Sequence, residues 1–254
     1  IQEEKKAVAE VKVIDEPVTV VVSQKGWVRA RQGHGHDPAS FAFKAGDGLY
    51  GTFECRTVDT LLVFGNNGRV YTVAVSTLPG ARGDGQPVTT MIELEAGTQL
   101  AHYVAGPLDT TLLLASTAGY GLLARIGDMV SRQKGGKSFL DLDEGARLLP
   151  PAPVAAGAGQ VACLAMSARL LVFPLDELKL QPKGGRGLTL MDVDAKDPLV
   201  SVAAFAGTLK VLGTGRGGKA KDEDYRGAAL LEHVGKRARK GKAVGFKATR
   251  VLPG

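Results

Sequence analysis

The chain has 254 residues, enough for one large or two small domains. Its hydrophobic fraction of 44% and charged fraction of 23% are ordinary globular values and exclude a disordered chain. No apolar run approaches the roughly 18 residues a membrane-spanning helix needs. Cys55 and Cys163 lie far apart and make neither a disulfide framework nor metal-ligand spacing, which points to a reducing compartment. The chain begins at Ile1 without a signal-like stretch and reads as a piece of a longer protein. The net charge of +6 is unevenly placed: residues 214–254 hold 11 basic and 4 acidic residues, a net of +7. Such a tail fits a polyanionic partner, or serves only as a solvated basic face.

Residues 1–17 read as a connector with a short helix, carrying Val8, Val11 and Ile14 on one face and stopped by Pro17. From Val18 the period changes to that of strands. Residues 19–23 and 27–30 flank a turn at Gly26 and predict a β-hairpin. The phrase returns at 60–73 around Gly68, at 111–123 around Gly119, at 161–173 around Ala168, and more weakly at 200–212 around Gly207. These turns are 42, 51, 49 and 39 residues apart. A period of about 40–50 residues marks a propeller-type array, one small antiparallel sheet per unit, whose faces are buried by stacking. The expectation is an all-β disc of about five four-stranded blades, near 18–58, 59–108, 109–158, 159–198 and 199–254.

A second phrase follows each hairpin at the same phase. It reads Arg82-Gly83-Asp84-Gly85-Gln86, then Arg132-Gln133-Lys134-Gly135-Gly136-Lys137, then Lys183-Gly184-Gly185-Arg186-Gly187, and finally Lys236 to Lys242. One basic glycine loop says little. Several at one phase of a radial repeat would form a cationic arc on the rim, with glycines letting backbone N–H groups approach phosphate and Arg and Lys binding it. The candidate contacts are Lys25, Arg29, Arg31, Arg69, Arg82, Arg132, Lys134, Lys137, Arg169, Lys183, Arg186, Lys210, Arg216, Lys219, Lys236, Arg237, Arg239 and Lys240. No recognition helix is evident, so the expected ligand is duplex DNA bound without regard to sequence.

Several phrases resemble the C-terminal domain of ParC, the DNA-cleaving chain of bacterial DNA topoisomerase IV: residues 18–34 (VTVVVSQKGWVRARQGH), 43–47 (FKAGD), 78–87 (LPGARGDGQP) and 115–121 (ASTAGYG). The resemblance covers roughly residues 17–200 well and the last fifty loosely. It implies a β-pinwheel, in which neighbouring blades exchange a strand and DNA runs along the rim. In the related gyrase A domain a basic glycine box in the first blade supports strong wrapping. The matching loop here, Gly33 to Phe41, has no such box, which favours the topoisomerase IV type. The implied role is to present DNA to the catalytic core for decatenation and relaxation, without chemistry in this domain. The implied partners are double-stranded DNA, the ParC core and, through it, ParE, in a heterotetramer. The isolated domain would be a monomer. No cofactor is implied for this domain; ATP and Mg2+ belong to the holoenzyme, in the bacterial cytoplasm at the nucleoid or peripheral to the membrane.

The alternatives are a gyrase-type wrapping domain and a propeller that docks proteins. His34 and His36 lack a third ligand and read as a loop feature. Gly215 to Lys219 echoes a phosphate loop but lacks the G-x-x-x-x-G-K-[ST] spacing. No catalytic or metal-binding residue is expected.

Overall fold

The computed structural model describes residues 12–80 and 82–254. Most of the expected connector helix therefore lies outside the described residues. Residues 12–16 enter the first strand without helix.

The first unit contributes β1 (Pro17–Ser23), β2 (Trp27–Gln32) and β3 (Leu49–Arg56). The second gives β4 (Thr60–Gly65), β5 (Arg69–Ala74), β6 (Gln86–Pro87) and β7 (Leu100–Gly106). The third gives β8 (Thr111–Ala115), β9 (Tyr120–Arg125), β10 (Lys137–Ser138) and β11 (Ala152–Val154). The fourth gives β12 (Gln160–Ala165), β13 (Arg169–Pro174), β14 (Leu188–Thr189) and β15 (Leu199–Phe205). The fifth gives β16 (Leu209–Thr214), β17 (Ala220–Tyr225), β18 (Lys242–Ala243) and β19 (Lys247–Pro253).

These strands make four four-stranded sheets and one three-stranded sheet, ordered β3-β1-β2-β6, β10-β5-β4-β7, β11-β8-β9-β14, β15-β12-β13-β18 and β17-β16-β19. Every strand pairing within them is antiparallel. The two-residue strands β6, β10, β14 and β18 each come from the unit after the sheet they complete. The fifth sheet receives no such strand among the described residues and is three-stranded.

The first four hairpin turns lie where the sequence places them. Gly26, Gly68, Gly119 and Ala168 are all left-handed, at φ 85°, 85°, 89° and 67°. Only Ala168 bears the steric cost of a Cβ in that conformation. The fifth hairpin lies elsewhere. β15 pairs with β12, so it belongs to the fourth sheet, and Ala206 to Thr208 merely link one sheet to the next. The fourth unit therefore extends to Phe205. The true fifth hairpin is β16 with β17, turning through Gly215 to Lys219, the stretch that echoes a phosphate loop. Two short apolar runs around a glycine look alike whether they pair or pass between sheets, because the pattern carries no record of partners.

Alternation explains how one strand serves two cores. Leu61 and Val63 face the first sheet, whereas Leu62 and Phe64 face the third. Likewise Cys163 and Phe173 pack toward the third sheet, and Leu164 and Val172 toward the fifth. Central strands thus read as continuous apolar runs because both faces are covered. Four apolar clusters join the five sheets in series, and among the described residues none joins the fifth to the first. The array is open, and each end must cap its own free face.

The first unit caps itself with residues 33–48. Arg29 occupies the strand position where Tyr71, Leu122 and Leu171 pack onto a preceding sheet. Lacking one, it stacks on Phe41 and Phe43 at 5.7 and 5.2 Å and donates to the Ala42 and Gly83 carbonyls at 2.6 and 2.7 Å. The loop without a basic glycine box therefore belongs to the unit that, among the described residues, completes no earlier sheet.

Candidate nucleic-acid interface

The basic loops bulge from the outer edge of each sheet. In the first sheet Gly80 bridges Ala30 in parallel, and the chain returns antiparallel with Gln86 opposite Val28. The fourth unit repeats this on β9, with Leu180 bridging Leu123 and Leu188 opposite Gly121. The fifth repeats it on β13, with Val234 bridging Val172 and Lys242 opposite Leu170. The intervening residues must leave the sheet plane, which places loops 82–85, 132–136, 183–187 and 236–241 at one edge of successive sheets. The third strands of neighbouring sheets approach each other at the opposite edge, β3 to β7, β11 to β15 and β15 to β19.

Each of the last three loops is also tied to the preceding unit. The Lys134 carbonyl accepts from the Glu93 N–H at 2.9 Å. Gly185 accepts from Asp141, and Arg239 from Asp192, each at 3.0 Å. Lys134, Gly185 and Arg239 all stand two residues before the glycine that opens the donated strand. One hydrogen bond, repeated three times, thus links each of the last three loops of the row to the unit before it.

The opening glycine has a different role from the one its sequence context predicts. Gly85, Gly136, Gly187 and Gly241 are left-handed, and a Cβ on each would lie 2.2–2.5 Å from the carbonyl oxygen of Val28, Val70, Gly121 or Leu170. These glycines bring backbone against the backbone of the neighbouring sheet, so that a strand can be exchanged. Phosphate approach is not what demands them.

The eighteen candidate cations divide by environment. Arg29 is 5% exposed and structural, which removes it from the contact set. Arg69 and Arg169 are half-buried and donate to loop carbonyls. Arg237 is half-buried, with its Nη1 on the Thr189 carbonyl at 2.7 Å. Arg186 is exposed but pairs with Asp143 at 2.9 Å and stacks on Tyr120 at 3.9 Å. Lys210 pairs with Asp222 at 3.6 Å. Lys25 stands at the first hairpin turn, beside Asp47, and Arg216 and Lys219 at the fifth, away from the loop row. Arg31 and Arg82 are exposed and, with His36, line one open recess at the first sheet. Arg132, Lys134, Lys183, Lys236, Arg239 and Lys240 are exposed on the row, and Lys137 is half-buried there. Lys242, exposed directly after Gly241 as Lys137 follows Gly136, belongs with them; aligning the loops by their last glycine reveals it.

Carboxylates are unevenly distributed along this row. Asp84 sits within the first loop, whereas 132–137, 183–187 and 236–242 contain none. Acidic residues border the row from the preceding units: Glu93, Asp141 and Asp192 donate their N–H groups to the loops, Asp143 pairs with Arg186, and the Glu177 carboxylate accepts from the Arg237 N–H. Burial alone would raise the Asp197 carboxyl, but hydrogen bonds from Ser167 and Arg169 outweigh it and hold the carboxyl below its ordinary 3.8. Asp47 is lowered likewise, burial being outweighed by bonds from Ser23, Gly48 and Lys25. His34 and His36 each bond a backbone carbonyl, of Cys55 and Gln32, at 2.7 Å. Among the described residues no three His, Cys, Asp or Glu side chains gather as a metal site.

A family described as "DNA gyrase C-terminal domain, beta-propeller" matches residues 59–97 and 163–206. The ParC chain of DNA topoisomerase 4 from Neisseria gonorrhoeae is 36% identical over 251 residues, covering 95% of this chain and 32% of that protein. Its counterpart from Escherichia coli K12 is 35% identical over 184 residues, 72% of this chain and 24% of that protein. The solved C-terminal domain of E. coli ParC superposes with a TM-score of 0.79 at 29% identity, covering 93% of this chain and 98% of that one. The chain belongs to the gyrase A and topoisomerase IV C-terminal domain family. It spans only about a quarter to a third of these full-length relatives. A solved gyrase A C-terminal domain, at 18% identity and a TM-score of 0.63, shares the fold. Within the family architecture, the exchanged strands and their glycines are the features this chain repeats most regularly.

Proposed function

We propose that this chain binds duplex DNA along its outer-edge loops, without sequence preference, and bends it. In a topoisomerase IV-type enzyme it would present that DNA to the catalytic core for decatenation and relaxation. Cleavage, ATP and Mg2+ chemistry would reside in the rest of ParC and in ParE, in the cytoplasm. One observation carries the reading: three consecutive loops, each tied to the preceding unit by the same hydrogen bond, carry exposed cations and no carboxylate of their own. A row of that kind releases condensed counterions from a phosphate backbone. Among the described residues the longest helix has five residues, so nothing offers a base-reading helix to the major groove. Bending a short site by 40–90° costs about 1–6 kcal/mol, which phosphate contacts on successive units must offset.

The cations favour a short grip over full wrapping. The first loop carries Arg82 and Asp84, nearly cancelling, while residues 236–242 of the fifth unit carry five basic residues. The test is fluorescence anisotropy with two 30-base-pair duplexes of unrelated sequence at several salt concentrations. Affinities within tenfold of each other are expected, and Arg132, Lys134 and Lys137 changed together to Ala should flatten the salt slope by about 0.9 per lost contact. Absence of binding at low salt, or a larger sequence preference, would overturn the reading. Nicked circles ligated on the protein should keep few supercoils; many would establish gyrase-type wrapping instead.

A further inference from the structure

The residue that opens the second strand of each of the first four hairpins, directly after the left-handed turn, alternates in kind: Trp27, Arg69, Tyr120, Arg169. At the two arginine positions the side chain reaches the basic loop donated by the next unit. Arg69 donates through Nε to the Gly135 carbonyl and through Nη2 to the Gly136 carbonyl, the latter at 3.2 Å. Arg169 donates to the Lys240 carbonyl, at the same loop position as Gly135. Asp197 holds Arg169 from behind, at 2.8 Å from Nη2 and 3.0 Å from Nε. At the aromatic positions no such strut forms; loop 82–85, which carries Asp84, is reached instead from Arg29, on the Gly83 carbonyl at 2.7 Å. Tyr120 lies under the Arg186 guanidinium, and Trp27 takes Lys44 at 3.9 Å.

We infer that Arg69 and Arg169 are positioning residues that hold loops 132–137 and 236–242 ready for phosphate, which makes the third and fifth units the two firm grips on DNA. The inference rests on the DNA-binding reading above. Three physical effects combine. The struts draw loop carbonyl oxygens inward, away from a phosphate they would repel. Arg69 lends a positive charge beneath its loop, whereas that of Arg169 is offset by Asp197. Both struts fix the loop before binding, so less ordering is lost when DNA arrives. Both arginines are half-buried and bonded to loop carbonyls, so they act through Arg132, Lys134, Arg239 and Lys240.

Lysine keeps the charge but cannot fork onto two carbonyls. The experiment therefore uses Arg69→Lys and Arg169→Lys in the whole 254-residue chain, alone and combined with Ala at Arg132, Lys134 and Lys137 or at Lys236, Arg239 and Lys240. Binding of a 30-base-pair duplex is read by anisotropy, and loop order without DNA by amide hydrogen exchange at Gly136 and Lys137. Arg69→Lys should weaken binding about three- to tenfold, speed exchange in 132–137 alone, and add nothing once the 132–137 cations are gone. It should still add to loss of the 236–240 cations, and Arg169→Lys should show the reverse pattern. Wild-type affinity in Arg69→Lys, additivity with its own loop, or exchange raised throughout the chain would overturn the inference. If the parent chain fails to bind the duplex, or the triple variants bind like it, the DNA-binding reading itself fails.

Discussion

A Cβ on Gly136 would sit 2.2 Å from the carbonyl oxygen of Val70, in the neighbouring sheet. The backbone there is left-handed at φ 62°, so two constraints coincide. Gly135, one residue earlier, meets nothing within 4 Å. Gly136→Ala should cost on the order of 3 kcal/mol in denaturant unfolding, and Gly135→Ala about 0.5 kcal/mol or less. Equal effects would show that strand exchange does not depend on this contact.

The loops should differ in their effect on DNA affinity. Replacing Lys236, Arg239 and Lys240 by Ala removes three exposed cations from a loop without carboxylates. Binding at 0.1 M salt should fall at least about tenfold, with a salt slope flatter by up to about 2.7. Arg82→Ala, beside Asp84, should cost less than about threefold by the same electrostatic argument. Titrations of both variants against one duplex check the ranking.

Asp197 ties Ser167 and Arg169 into one network, with both charged side chains 22% exposed. Its folded carboxyl titrates below 3.8, so it binds its proton less readily in the folded chain than in the unfolded one. The stability it contributes is present above about pH 4 and is lost as pH falls through the lower, folded value. Asp197→Asn should cost about 1–3 kcal/mol at pH 7 and progressively less as pH falls below 3.8. Thermal melts across that range read the difference, and a cost independent of pH would refute the ionic origin.

Both cysteines should be silent in the folded chain. Burial raises the Cys55 thiol to about 12, with the Asp59 charge adding to it, and raises Cys163 further. At neutral pH neither presents thiolate. A thiol reagent should label both only after denaturant is added. Labelling of Cys163 in the native chain would mean that the core between the third and fourth sheets opens locally.

The repeat itself was legible in the sequence, because each unit reuses the same chemistry. Gly26, Gly68 and Gly119 mark turns that need a left-handed residue, and β-branched and leucine-rich runs mark strands buried on both faces. The phase of the basic loops was also legible, since alignment by the turn glycine brings 82–86, 132–137 and 183–187 into register.

What the sequence could not carry was partnership. Whether Leu199–Phe205 pairs with the strand after it or with Gln160–Ala165 depends on which sheet edge is vacant, a property of the assembled array. The same holds for cations. Arg29, Arg69 and Arg132 are chemically alike along the chain, yet one fills the face of an end sheet, one braces a loop from beneath and one points outward. Local composition sets turn and strand, because those depend on a residue and its immediate neighbours. The role of a charge is decided by which surfaces the fold leaves uncovered, and that is settled only when the sheets stack.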